Sequence, residues 1–128
     1  MNTYFENSEL NYLPMVEALL KNPLNGAQVR IHLALDTGFQ GGVLIPLKTY
    51  VKLGLNLAEE LKTIGRTALG GRVELRTSRV VVVLDGWKIP CHAYTAVGVR
   101  RPLMGREVLK ELGLLYKPPH KLGFPALG

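Results

Sequence analysis

The chain of 128 residues contains two aspartates, Asp36 and Asp85. The first lies in Leu33-Ala34-Leu35-Asp36-Thr37-Gly38, where an apolar strand pattern runs into a turn triplet and a second apolar segment begins at residue 43. A carboxylate at such a strand end has its backbone anchored in a sheet, which is the positioning that acid–base chemistry needs. Splitting an amide with water, without a metal or a covalent intermediate, takes a base for the water and an acid for the leaving nitrogen. Two close carboxylates sharing one proton supply both. Asp85 sits in Leu84-Asp85-Gly86-Trp87, a hairpin-turn sequence, so a partner for Asp36 must come from another chain. Taken alone, Asp36-Thr37-Gly38 also reads as a plain turn, since all three residue types favour turns.

Other chemistries fit the chain less well. The two serines, Ser8 and Ser78, lack the glycine-flanked setting of a nucleophile elbow. His32, His92 and His120 have no metal-ligand spacing, and the single Cys91 excludes an intrachain disulfide and reads as a buried structural thiol. His32 is in phase with Asp36 but some 13 Å away along a strand (estimated from strand rise), and reads as a solvent-facing or interface residue.

The elements that must position Asp36 follow from pattern. Residues 14–21 form an apolar run, and Asn22-Pro23 and Asn25-Gly26 supply a hairpin turn. The second strand alternates, with Val29, Ile31, Leu33 and Leu35 on one face and Gln28, Arg30, His32 and Ala34 on the other, so that Asp36 follows on the polar face. Gly38 lets the chain turn sharply. Residues 43–45 read as a short buried strand, followed by a helix from Pro46 to Leu53, stopped by Gly54. A second helix is expected over 106–112, stopped by Gly113. The shared Leu-Gly-Leu endings, at residues 53–55 and 112–114, hint at an internal two-fold. Residues 60–68, 73–84 and 87–97 read as strands joined at Gly70-Gly71 and Asp85-Gly86. Residues 1–13 read as an arm or an edge segment that orders on a partner, residues 14–117 as one domain, and residues 118–128 as an irregular tail. Many short strands with few helices favour a closed or orthogonally packed β domain.

Composition bounds the rest. One compact domain is expected at this length. No apolar run approaches the roughly 20 residues that span a bilayer, and the polar N-terminus lacks a signal pattern, so a soluble, cytoplasmic protein with no membrane partner is expected. A net charge of +6 comes from scattered basic residues. Arg66, Arg72, Arg76, Arg79, Arg100 and Arg101 could track phosphates, but few aromatics lie near them to stack bases, and nucleic acid is not the expected partner.

Three landmarks occur in order: Leu33-Ala34-Leu35-Asp36-Thr37-Gly38, the glycine-centred segment 67–73, and Pro102-Leu103-Met104-Gly105-Arg106-Glu107. They resemble those of aspartic proteases, and at this length the retropepsin-like branch (clan AA type), over about residues 14–115. The resemblance implies an all-β, retropepsin-like acid protease fold with one or two short helices. It also implies a homodimeric aspartic endopeptidase that takes a peptide or protein substrate, with catalytic Asp36 contributed by each subunit and with no cofactor or metal. Thr37 matches the threonine that ties the two active-site loops together across the dimer, and Gly38 the glycine that lies against substrate. Gly105 and Arg106 match the element that opens the C-terminal helix and supports the active-site loop. Leu69, Gly70 and Gly71 match the flap over the cleft. The chain departs from the viral pattern at Phe39-Gln40-Gly41-Gly42, where acidic residues usually follow the motif. That departure removes substrate-backbone contacts and a salt-bridge partner for Arg106, and leaves a catalytically silent peptide-binding or assembly module as the alternative reading.

Overall fold

A computed structural model describes residues 2–6, 12–60, 63–66 and 72–128. The strands are β1 (Asn2–Glu6), β2 (Leu13–Lys21), β3 (Gln28–Leu35), β4 (Val43–Leu44), β5 (Thr63–Arg66), β6 (Arg72–Leu84), β7 (Trp87–Thr95), β8 (Leu103–Met104), β9 (Leu115–Lys117) and β10 (Lys121–Gly123). Two helices interrupt them, α1 (Leu47–Lys52) and α2 (Arg106–Leu112). Eight strands form one sheet in the order β1-β2-β3-β8-β4-β7-β6-β5, and an additional β2–β6 pairing closes the ring from β2 round to β6. This is an all-β domain with two short helices. Among the described residues no helix is long and apolar enough to cross a membrane.

Period-two alternation fills the inside of the ring. Val16, Ala18 and Leu20 of β2, Val80, Val82 and Leu84 of β6, and Ile89, Cys91 and Ala93 of β7 all point into one core. On β3 the outer half keeps the expected alternation, but Leu33, Ala34 and Leu35 are all buried, because the strand end is covered by neighbours. Ala34 can be covered at small cost, since it pairs with Met15 on one side and Leu103 on the other.

Turn chemistry behaves locally. Asp85 and Gly86 have φ of 46° and 83°, the two left-handed positions of a tight hairpin between β6 and β7. Both helices end against left-handed glycines, Gly54 and Gly113, with φ of 73° and 69°. The β2–β3 turn is fastened to α1, where buried Asn22 donates through Nδ2 to the Leu53 carbonyl at 2.9 Å.

The terminal segments differ from expectation. Residues 2–6 need no foreign partner, because β1 pairs antiparallel with β2 of its own chain from Asn2↔Glu17 to Glu6↔Leu13. The tail is not irregular either. β9 and β10 form a hairpin, Thr3 Oγ1 donates to the Leu122 carbonyl at 3.0 Å, and Phe124 is buried in the core. Phe5 meets Tyr12 and Tyr116 edge-on at 5.7 Å, so aromatic contacts join the two ends of the chain.

Candidate active site

Asp36 stands where the chain leaves one strand and a later strand is threaded beside it. β3 and β4 are consecutive but do not pair, and β8 fills the place between them. It runs parallel to β3 (Ala34↔Leu103, Leu35↔Met104) and antiparallel to β4 (Val43↔Met104, Leu44↔Leu103). The Asp36 N–H donates to the Met104 carbonyl at 2.9 Å, which pins the residue to β8. Asp36 is half-buried, while Thr37 and Gly38 beside it are exposed. The turn closes through the carboxylate itself, since Oδ1 accepts from the Gly38 N–H at 2.8 Å. Gly38 is not among the left-handed glycines, so its contribution is room rather than a special φ: a Cβ there would stand 3.1 Å from Asp36 Oδ1.

The loop behind Asp36 is stitched to the start of α2. The N–H groups of Gly105, Arg106 and Glu107 donate to the carbonyls of Gly42, Phe39 and Gly41 at 2.8, 2.8 and 3.2 Å. No side chain caps this helix, so loop carbonyls satisfy its first donors. The approach is close enough to demand glycine, because a Cβ at residue 105 would stand 2.6 Å from the Phe39 carbonyl oxygen. Gly42 faces β7 in the same way, with Cys91 Sγ 2.6 Å from where its Cβ would lie. Arg106 therefore holds the loop through its backbone, and its guanidinium is exposed. Gln40 and Arg106 line the same open depression. Phe39 is half-buried and packs its ring edge-on against Tyr94 at 5.7 Å.

An internal two-fold passes between β4 and β8. It exchanges residues 43 and 44 with 103 and 104, and it carries Ala34 and Leu35 of β3 onto Ala93 and Tyr94 of β7, which pair in parallel with β4. Each half thus consists of a strand, a loop, a short strand and a helix. The residue that follows Tyr94, in the place matching Asp36, is Thr95, fully buried and donating through Oγ1 to the Ile45 carbonyl at 2.7 Å. The fold provides two equivalent places and fills one with a carboxylate.

Sequence reasoning missed a polar network behind the site. Glu107 reaches from α2 to β7, accepting from the His92 N–H at 2.9 Å and meeting His92 Nδ1 at 2.8 Å. His92 Nε2 faces Glu60 at 3.3 Å, and Glu60 accepts from Arg79 Nε at 2.8 Å. Arg79 first, and His92 beside it, hold the Glu60 carboxyl below its usual range. Next to this, the Tyr50 hydroxyl donates to Glu59 at 2.8 Å, and Arg76 grips the same carboxylate. Burial, then Glu59, pushes the Tyr50 hydroxyl up. Residues 50, 59, 60, 76, 79, 92 and 107 carry no common spacing, so no sequence signal could have found the network. Exposed His32 instead pairs with Glu17 at 3.2 Å and Tyr4 at 2.7 Å.

Among the described residues no group of three His, Cys, Asp or Glu side chains could hold a metal ion. Buried Cys91 has its thiol pushed up by desolvation, which keeps it protonated. The residues read as a flap tip, Leu69, Gly70 and Gly71, lie outside the described residues. Of the arginines that could have formed a phosphate track, Arg76, Arg79 and Arg101 pair with Glu59, Glu60 and Glu6.

Two solved structures share this architecture. EIAV protease in complex with the inhibitor HBY-793 superposes with a TM-score of 0.57 at 21% identity, over 80% of this chain and 89% of that one. A retropepsin-like aspartic protease from Rickettsia conorii gives 0.56 at 16% identity, over 91% of this chain and 90% of that one. No protein-family model matches the sequence, and neither does any curated protein. The chain has the fold of the retropepsin-like aspartic proteases, with Asp36-Thr37-Gly38 at the crossing of β3, β8 and β4.

Proposed function

We propose that the protein is an aspartic endopeptidase that works as a homodimer, with Asp36 of each subunit forming the catalytic pair. The observation that carries this reading is the placement of Asp36. It is half-buried at the end of β3, pinned to β8, with Thr37 and Gly38 exposed beside it, while the symmetry-matched place in the same chain holds Thr95. One chain therefore offers one carboxylate, and a pair needs a second copy.

The chemistry follows from two carboxyls sharing a proton. The ionised one takes a proton from water as the water oxygen bonds to the substrate carbonyl carbon, and the protonated one gives its proton to the carbonyl oxygen. The tetrahedral species collapses when a proton reaches the amide nitrogen and the C–N bond breaks. Thr37 would tie the two loops together across the dimer, and Gly38 would let the peptide backbone approach. Gly105 and Arg106 would keep the loop in place from behind.

The test is cleavage of an unstructured protein from about pH 3 to about pH 7, comparing wild type with Asp36→Asn and adding a statine-type inhibitor. Activity that disappears in the variant and with the inhibitor supports the peptidase. A second reading, a silent peptide-binding module, is favoured by the Phe39-Gln40-Gly41 stretch that replaces acidic residues beside the motif. An intact wild-type dimer that cleaves nothing at any pH would decide for that reading.

A further inference from the structure

Beside the loop that carries Asp36 lies a feature that a carboxylate pair does not use. Gln40, Gly41, Tyr94, Arg106, Glu107 and Lys110 line an open depression of about 340 Å3. Arg106 and Lys110 are four residues apart on α2, hence one turn apart on one face, and both are exposed. Among the described residues neither meets a carboxylate. The acid in the wall, Glu107, is already engaged, with Oε1 accepting from the His92 backbone and Oε2 on its ring. Gln40 adds an amide and no charge. Two like charges one turn apart repel each other, and a carboxylate placed between them would relieve that repulsion while forming charge-assisted hydrogen bonds.

We propose that this depression is a subsite for an acidic side chain of the peptide substrate, held by Arg106 and Lys110. The inference rests on reading Asp36 as the centre of a peptide cleft. Its reach is set by the chain. Gln40 follows Asp36 by four residues, which span at most about 14 Å, and an extended peptide advances about 3.3 Å per residue. The acidic residue would thus lie within about four positions of the bond held over Asp36.

The experiment uses one cleavable peptide sequence carrying Glu, Gln or Lys in turn at each position out to four residues on either side of the cut. At one position kcat/KM for Glu should exceed that for Lys by about three- to tenfold, and the ratio should shrink as salt is added. Lys110→Glu, a change at an exposed position, leaves Arg106 facing an acid and should remove the preference. Equal rates at every position, or a preference untouched by Lys110→Glu, would overturn the subsite and leave the peptidase standing. If nothing is cleaved, the same peptides, fluorescently labelled, are titrated against the wild-type protein by anisotropy. Tighter binding of the Glu peptide that Lys110→Glu abolishes would uphold the subsite in a peptide-binding module, whereas binding indifferent to charge would sink it. Loss of the dimer in Lys110→Glu with an unchanged peptide preference would assign the two cations to a second copy of the chain and overturn the proposal.

Discussion

At residue 105 the backbone of α2 comes against the loop behind Asp36, and a Cβ would stand 2.5 Å from Phe39 Cδ2 and 2.6 Å from the Phe39 carbonyl oxygen. That carbonyl also accepts the Arg106 N–H, so neither partner can move without breaking the stitch. Gly105→Ala is expected to lose about 2 kcal/mol of stability by overpacking, and to lower any activity that depends on the loop. Gly123→Ala is the control, because nothing lies within 4 Å of its Cβ position and its φ is not left-handed. It should stay within about 0.5 kcal/mol of wild type. Urea unfolding of the two variants reads the difference, and equal midpoints would contradict the close approach.

The β5–β6 hairpin is fastened at its base. Glu60 donates its N–H to the Thr77 carbonyl at 2.8 Å, Ser78 Oγ donates to the Ala58 carbonyl at 3.0 Å, and Arg76 and Arg79 of β6 hold Glu59 and Glu60. Arg79 keeps the Glu60 carboxyl low in the folded chain, so unfolding raises its proton affinity. The stability it adds is complete above the unfolded glutamate value of about 4.3, and it is lost as pH falls through the lower folded value. Hydrogen-exchange protection of the Glu60 amide, corrected for intrinsic rate, should therefore drop between about pH 5 and about pH 3. Arg79→Gln should flatten that dependence. A protection profile that is already flat in wild type would remove Glu60 from the anchoring of the hairpin.

A single carboxylate per chain makes the assembly part of the proposed site. Specific activity should fall on dilution through the dimer dissociation constant, because a lone subunit holds half a pair. Mixing adds a sharper test. With equal amounts of wild type and Asp36→Asn exchanging freely, about a quarter of dimers carry two Asp36 residues, so activity per wild-type subunit should fall to about half. Activity that follows wild-type subunits linearly, with exchange verified, would mean that each chain works alone.

Local chemistry decided much of this protein. The strand leading to Asp36, the end of α1 at Gly54, the bounds of α2, the Asp85-Gly86 turn and the all-β class follow from period-two alternation and from turn residues acting over a few positions. The strand-end position of Asp36 was legible because its neighbours on the chain mark it. Other features belong to the folded chain alone: β8 between β3 and β4, ring closure by β2 and β6, and contact of the two chain ends through Thr3, Leu122, Phe5 and Tyr116. The same holds for the Glu107–His92–Glu60–Arg79 network and for Arg106 and Lys110, which meet no carboxylate among the described residues. In each case the partners lie far apart in sequence, or the decisive fact is which charges folding brings to a carboxylate. Hydrogen-bond partners and neighbouring charges are chosen only when the sheet closes, and no local pattern carries that information.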